Sequence, residues 1–133
     1  MLDAGVLIGF LDRSDAHHEA ASAVLAEADA QNEQLVMPAS AFAEVLVGPS
    51  RRGRGAVATV ERLVERLPIE IAPLDAEIAK VAAGLRARHR SLNLPDALVI
   101  ATAEHLGAHR LVATDRGWPS RAKLRVGVAI TEI

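Results

Sequence analysis

The sequence predicts an α/β fold, a parallel sheet with helices on both faces. Three observations predict it. Short apolar runs closed by proline or by a turn alternate with longer stretches patterned at helical spacing. Half of the 133 residues are apolar, enough for a substantial core without cross-links. Four acids, Asp3, Glu44, Asp96 and Asp115, each fall where a strand ends or a helix begins. In an open parallel sheet those positions share one edge, where such sheets bind their ligands.

The elements follow in order. Asp3 comes after Met1-Leu2, and Val6–Leu11 reads as a short helix. Asp15 is a candidate N-cap for a helix over His17–Ala30, with Ala20, Val24 and Ala28 at helical spacing. Gln34–Pro38 is a strand closed by proline. Ser40 can cap a helix carrying Phe42, Val45 and Leu46 and ending at Gly48-Pro49. Pro49–Gly55 reads as a loop. Val57, Val60, Val64 and Leu67 mark the next helix. Ile69–Pro73 is a strand, and Asp75 caps a helix whose inner face is Ile78, Ala82 and Leu85. Pro95 opens a helix, Asp96–Leu106, that is apolar on nearly every side and is expected to be buried. Arg110–Ala113 is a strand leading into Thr114-Asp115, and Val126–Ile130 is the last strand. Nothing divides the chain, so residues 1–133 are expected to form a single domain.

Composition excludes several chemistries. With no cysteine there is no disulfide scaffold, thiolate metal site or thiol nucleophile. No apolar run approaches the length of a membrane span, and Met1–Leu11 lacks a basic leader and contains Asp3. A cytoplasmic protein is the expectation. The net charge of −2 conceals an asymmetry: setting the four acids aside leaves thirteen acids against fifteen bases. All the bases but Lys80 and Lys123 are arginine, with clusters at Arg51, Arg52 and Arg54 and at Arg86, Arg88 and Arg90. An acidic pocket in basic surroundings suits an anionic polymer. Either arginine cluster alone reads as a solvated helix end.

Each acid has an ordinary role when taken singly. Asp96 behind Pro95 could complement a helix dipole, worth about 0.3–1 kcal/mol. Asp115 could form a turn, and Glu44 could be a surface acid. Together, four carboxylates at one edge repel unless a cation sits among them. Carboxylates without cysteine or converging histidine select hard ions such as Mg²⁺ or Mn²⁺. His17 and His18 read as helix-surface or packing residues, Asp12, Asp15 and Asp75 as turn and cap residues, and Trp118 as a packing residue beside the site loop. Phe10, Phe42 and Trp118 are the only aromatics, too few for a base-stacking platform. A receiver-type phosphorylation switch is also acidic and doubly wound. It would want an acid at the end of the third strand and a late lysine after a strand; here that strand ends Ile71-Ala72-Pro73, and Lys123 follows none.

The ordered set Leu2-Asp3-Ala4, Leu7-Ile8, Leu11, His17–Ala20, Met37-Pro38-Ala39, Glu44-Val45-Leu46, Leu94–Ala103, Leu111–Asp115 and Trp118 resembles the PIN-domain ribonucleases. Within them it is similar to the VapC toxins of type II toxin–antitoxin pairs. The resemblance implies a five-stranded parallel sheet in the order 3-2-1-4-5. It implies direct binding of Mg²⁺ or Mn²⁺ by Asp3, Glu44 and Asp96, with Asp115 as a fourth, less uniform ligand and Thr114 as a supporting hydroxyl. The implied activity is endoribonucleolytic hydrolysis of structured RNA, such as tRNA or rRNA, leaving a 5′-phosphate. The implied partners are a VapB-like antitoxin and a second copy in a homodimer. A PIN nuclease of housekeeping RNA maturation, and a non-catalytic PIN domain binding RNA or protein, are the alternatives. Two departures stand out. The family often carries Asn or Ser two residues after its first Asp, where this chain has Gly5. It also carries several apolar residues before that Asp, where this chain has Met1-Leu2. The first strand is therefore expected to be minimal or to begin upstream.

Overall fold

A computed structural model describes residues 1–115 and 117–133. Among them, seven helices and four short strands alternate: α1 (Ala4–Leu11), α2 (His18–Ala30), β1 (Leu35–Pro38), α3 (Ala39–Arg52), α4 (Arg54–Arg66), β2 (Ile69–Ala72), α5 (Ala76–Arg88), α6 (Leu94–His105), β3 (Arg110–Ala113), α7 (Arg121–Leu124) and β4 (Ala129–Glu132). The α/β character is as expected.

The sheet departs from expectation. Instead of one five-stranded ladder there are two two-stranded parallel sheets, β1 with β2 and β3 with β4. The first residues of the chain link them. Leu2 N–H donates to the Val36 carbonyl at 2.8 Å, and Leu2 forms an isolated parallel bridge to Val112. The reason is length: two residues ahead of Asp3 cannot build a ladder between two partners. Around this seam lies the core, in which Leu2, Leu7, Met37, Ile100 and Leu111 are fully buried.

Several helix ends differ from the sequence expectation for identifiable reasons. Asp15 does not cap α2 directly; its Oδ1 accepts from His17 N–H at 2.8 Å and forms the turn before it, so the helix starts at His18. The helix expected to end at Gly48-Pro49 continues to Arg52, and Pro49 is buried inside it. Proline there leaves the Val45 carbonyl without a helical donor but does not force a stop. The stop comes at Gly53, whose φ of 107° favours glycine. The expected Pro49–Gly55 loop therefore shrinks to one residue between two helices.

Asp75 does cap α5, accepting from Ile78 N–H at 2.8 Å, and Ile78, Ala82 and Leu85 form its buried face. α6 begins two residues earlier than expected, because Asn93 Oδ1 caps it by accepting from Asp96 N–H at 2.8 Å. The last strand starts three residues later and ends two residues later than read from the sequence, and α7 was not foreseen. Its approach is set by Glu104 of α6, whose Oε2 accepts from Gly127 N–H at 2.7 Å. No helix among the described residues is long and apolar enough to cross a membrane.

Candidate active site

Parallel strands end on the same side, and the four acids follow from that. Asp3 N–H donates to the Val112 carbonyl at 2.9 Å, which fixes Asp3 beside the end of β3 as the N-cap of α1. Thr114 and Asp115 continue from β3. β1 runs directly into α3, which carries Glu44 in its second turn. Asp96 stands in the first turn of α6, held by the Asn93 cap and preceded by Pro95.

The environments of the acids are unequal. Asp3 is buried, with 8% of its surface exposed, whereas Asp96 is half-buried and Glu44 and Asp115 are exposed. Burial raises the Asp3 pKa to about 6, and the negative charges of Asp96 and Glu44 push it the same way. The Ala4 and Gly5 N–H groups pull it down without completing a capping hydrogen bond. Burial also raises the Asp96 pKa, followed by the charge of Asp115, and Glu44 adds to it. The Trp118 indole opposes this rise from beside Asp96. Its Nε1 is buried and completes no hydrogen bond, so the donor stands close to Asp96 but off ideal geometry.

The acids thus feel one another's charge across the strand ends. They do not form a ready cage: among the described residues, no three His, Cys, Asp or Glu side chains are drawn together closely enough to hold an ion. Two of the four face solvent. Asp115 also spends one oxygen locally, its Oδ1 accepting from Gly117 N–H at 2.6 Å. His17 and His18 are engaged with other groups. His17 Nδ1 lies 3.1 Å from Asp15 Oδ1, and His18 Nδ1 lies 3.0 Å from the Gly9 carbonyl while its ring stacks on Phe10.

Gly5 and Thr114 explain each other. A Cβ added at Gly5 would lie 2.0 Å from Thr114 Oγ1 and 3.1 Å from its Cβ. The Thr114 hydroxyl therefore fills the space where a side chain at position 5 would begin. The polar group missing from position 5 is replaced by one arriving from β3. Gly5→Ala is expected to cost about 1–3 kcal/mol through overpacking, and Thr114→Ala in the same chain should recover most of it. Thermal denaturation of the single and double variants checks this; equal destabilisation in both would remove the coupling.

Sequence reasoning passed over Asn93 and the orphan donor of Trp118. Asn93-Leu94-Pro95-Asp96 is a legible N-cap with proline near the helix start and an acid in its first turn. Nothing in the sequence marks the direction of the indole N–H.

No curated protein matches the chain at a significant level. Solved structures share its fold, three of them as follows. One is VapBC2 from Rickettsia felis bound to a DNA fragment from its promoter, with TM-score 0.71 and 16% identity over 100% of this chain and 97% of that one. Another is a toxin–antitoxin complex from Klebsiella pneumoniae, with TM-score 0.69 and 23% identity over 99% and 98%. The third is the sarcin–ricin-loop-cleaving toxin VapC20 from Mycobacterium tuberculosis, with TM-score 0.69 and 18% identity over 86% and 88%. The PIN domain family matches residues 1–124, and the chain belongs to that family.

Proposed function

We infer that this PIN domain is a metal-dependent endoribonuclease acting as the toxin of a VapBC-type pair. The observation that carries the reading is the buried Asp3 carboxylate, whose ionisation is opposed by the charges of Asp96 and Glu44. A protein keeps such a cluster at a sheet edge at a cost in stability, and a cation removes the cost. The donor set fits a hard divalent ion: all oxygen and no thiolate, with His17 and His18 engaged elsewhere. Mg²⁺ and Mn²⁺ both suit it.

Asp3, Glu44 and Asp96 are the residues that would hold the ion, with Asp115 reaching it less directly because one of its oxygens serves the turn. When bound, the ion supplies an activated water and offsets charge on the phosphodiester oxygens. The chain's own part is positioning. The Asn93 cap orients the first turn of α6 and so Asp96. Trp118 Nε1 offers a donor to the Asp96 carboxylate. Thr114 Oγ1 stands against the backbone of Gly5, two residues after Asp3. No side-chain nucleophile is required.

RNA as substrate and a VapB-like antitoxin as partner rest on the structural neighbours: one is described as cleaving the sarcin–ricin loop, and others are toxin–antitoxin complexes. The arginine clusters at Arg51–Arg54 and Arg86–Arg90 suit a polyanion approaching the acids. A second copy completing a homodimer and a cytoplasmic location belong to the same reading. The test is cleavage of structured RNA by the purified chain. It should proceed with Mg²⁺ or Mn²⁺ and stop with a chelator; cleavage that persists in chelator defeats the mechanism.

A further inference from the structure

Trp118 carries a buried polar atom without a partner at the edge where the acids lie. Its side chain packs into the core with 8% of its surface exposed, and among the described residues its Nε1 completes no hydrogen bond. A buried donor without an acceptor destabilises a fold, and such groups are rare. An apolar ring with no donor would serve the packing better. The indole N–H instead stands close enough to Asp96 to favour its charged form, yet falls short of bonding it. Indole nitrogen only donates, so an acceptor is the one partner it can take.

The chain holds the indole in place from both sides. Ahead of it, Asp115 Oδ1 accepts from Gly117 N–H at 2.6 Å, and a Cβ at position 117 would lie 3.1 Å from that oxygen. Behind it, Ser120 caps α7 and Leu124 is fully buried. The chain ahead of β4 is then fastened to α6. Glu104 Oε2 accepts from Gly127 N–H at 2.7 Å and from Val128 N–H at 3.2 Å. From α7, Arg121 donates to the carbonyls of Val126 and Gly127 in the same stretch. Asp96 stands in the first turn of α6. Indole and carboxylate are thus mounted on one braced assembly, and rotation of the Asp96 side chain can join them without moving the backbone.

We propose that Trp118 is a positioning residue whose indole N–H bonds one Asp96 oxygen when the divalent ion binds, leaving the other oxygen turned toward the ion. This rests on the metal-dependent reading above. The charges of Asp115 and Glu44 repel the Asp96 carboxylate. A cation among the acids reverses that push and holds the carboxylate in one place. Both carboxylate oxygens carry lone pairs, so Asp96 can serve the ion and the indole together. An outer hydrogen bond of this kind fixes the orientation of a metal ligand and strengthens binding.

Trp118 is the only tryptophan, so the isotope-labelled chain gives one indole N–H signal. On titration of the full chain with Mg²⁺, that proton should move downfield together with the Asp96 backbone amide. Its exchange with solvent should slow by about tenfold or more, the scale of one hydrogen bond to a charged group. Trp118→Phe keeps an apolar ring and removes the donor. It should weaken Mg²⁺ binding by about tenfold or more in titration calorimetry. The indole measurement needs no substitution and stands even if Trp118→Phe fails to fold. Mg²⁺ that moves the Asp3 and Asp96 amides but leaves the indole unchanged would overturn the proposal. So would an indole slowed equally by Mg²⁺ in Asp96→Asn, or a Trp118→Phe variant that binds Mg²⁺ as tightly as the wild type. If no amide responds to Mg²⁺, the metal-dependent reading itself fails and the proposal falls with it.

Discussion

Asp3→Asn should sharply reduce RNA cleavage and, at neutral pH without metal, make the protein more stable. A buried residue touching a functional centre ordinarily loses stability when changed. Here the sign reverses because the wild-type carboxylate is held against its preference. Its pKa is raised to about 6 from 3.8, first by burial and then by Asp96 and Glu44. A group raised on folding contributes stability that is fully present below its unfolded pKa and is lost as pH rises through the folded value. Over that interval the loss for Asp3 is about 3 kcal/mol by the usual conversion of pKa to free energy. Asparagine avoids the charge and keeps the shape, but it forgoes part of the backbone interaction with Ala4 and Gly5. The expected net gain at pH 7.5 is on the order of 1–2 kcal/mol. Cleavage should fall by about a hundredfold or more, the scale of losses when a metal's supporting groups are changed. Calorimetry in chelator at pH 4 and pH 7.5 separates the two effects: the variant's advantage should be present at 7.5 and absent at 4. Equal destabilisation at both values would mean that the Asp3 carboxylate is not held against repulsion.

How far the sequence could be read depended on whether a feature is local. Asp75 as a cap and the Ile78, Ala82, Leu85 face are set by spacing within one helix, and both stand in the structure. The placement of the acids at strand ends and helix starts was legible for the same reason, since each depends only on its own element. What was not legible depends on partners. Pro49 continuing inside α3 requires burial to outweigh a missing hydrogen bond, and proline alone reads as a stop. The split of the sheet into two pairs depends on how far Met1-Leu2 can reach between β1 and β3. Gly5 reads as a lost polar contact, and only its distance to Thr114 Oγ1 shows a replacement. The sequence placed the four carboxylates at one edge and led to the expectation that they converge on a single site. Among the described residues no three of those side chains draw together closely enough to hold an ion, and Glu44 and Asp115 are exposed, Asp115 Oδ1 accepting from Gly117 N–H.

That separation shapes the metal response. Mg²⁺ or Mn²⁺ should raise the melting temperature beyond what matched ionic strength achieves, because the folded chain brings the acids to one edge and the unfolded chain scatters them. Linkage sets the scale at about 2.7 kcal/mol for a hundredfold excess over Kd. Protons compete for the same oxygens, so the response must depend on pH. Below pH 5 the Asp3 carboxyl is largely protonated, given its pKa of about 6, and the metal shift should be small. It should grow as pH rises through 6 and level off above 7. In chelator the Asp3 contribution runs the other way, stability falling over the same interval. The two curves should therefore diverge with increasing pH, and the gap between them measures metal held by ionised acid. Asp96→Asn should close most of that gap, since its carboxylate is also raised by burial and by Asp115. Asp115→Asn should close less of it, because one Asp115 oxygen is already committed to the Gly117 N–H. A gap that does not widen with pH would separate the cation from Asp3. A larger loss from Asp115→Asn than from Asp96→Asn would reverse the ranking of the ligands and place the ion nearer the end of β3.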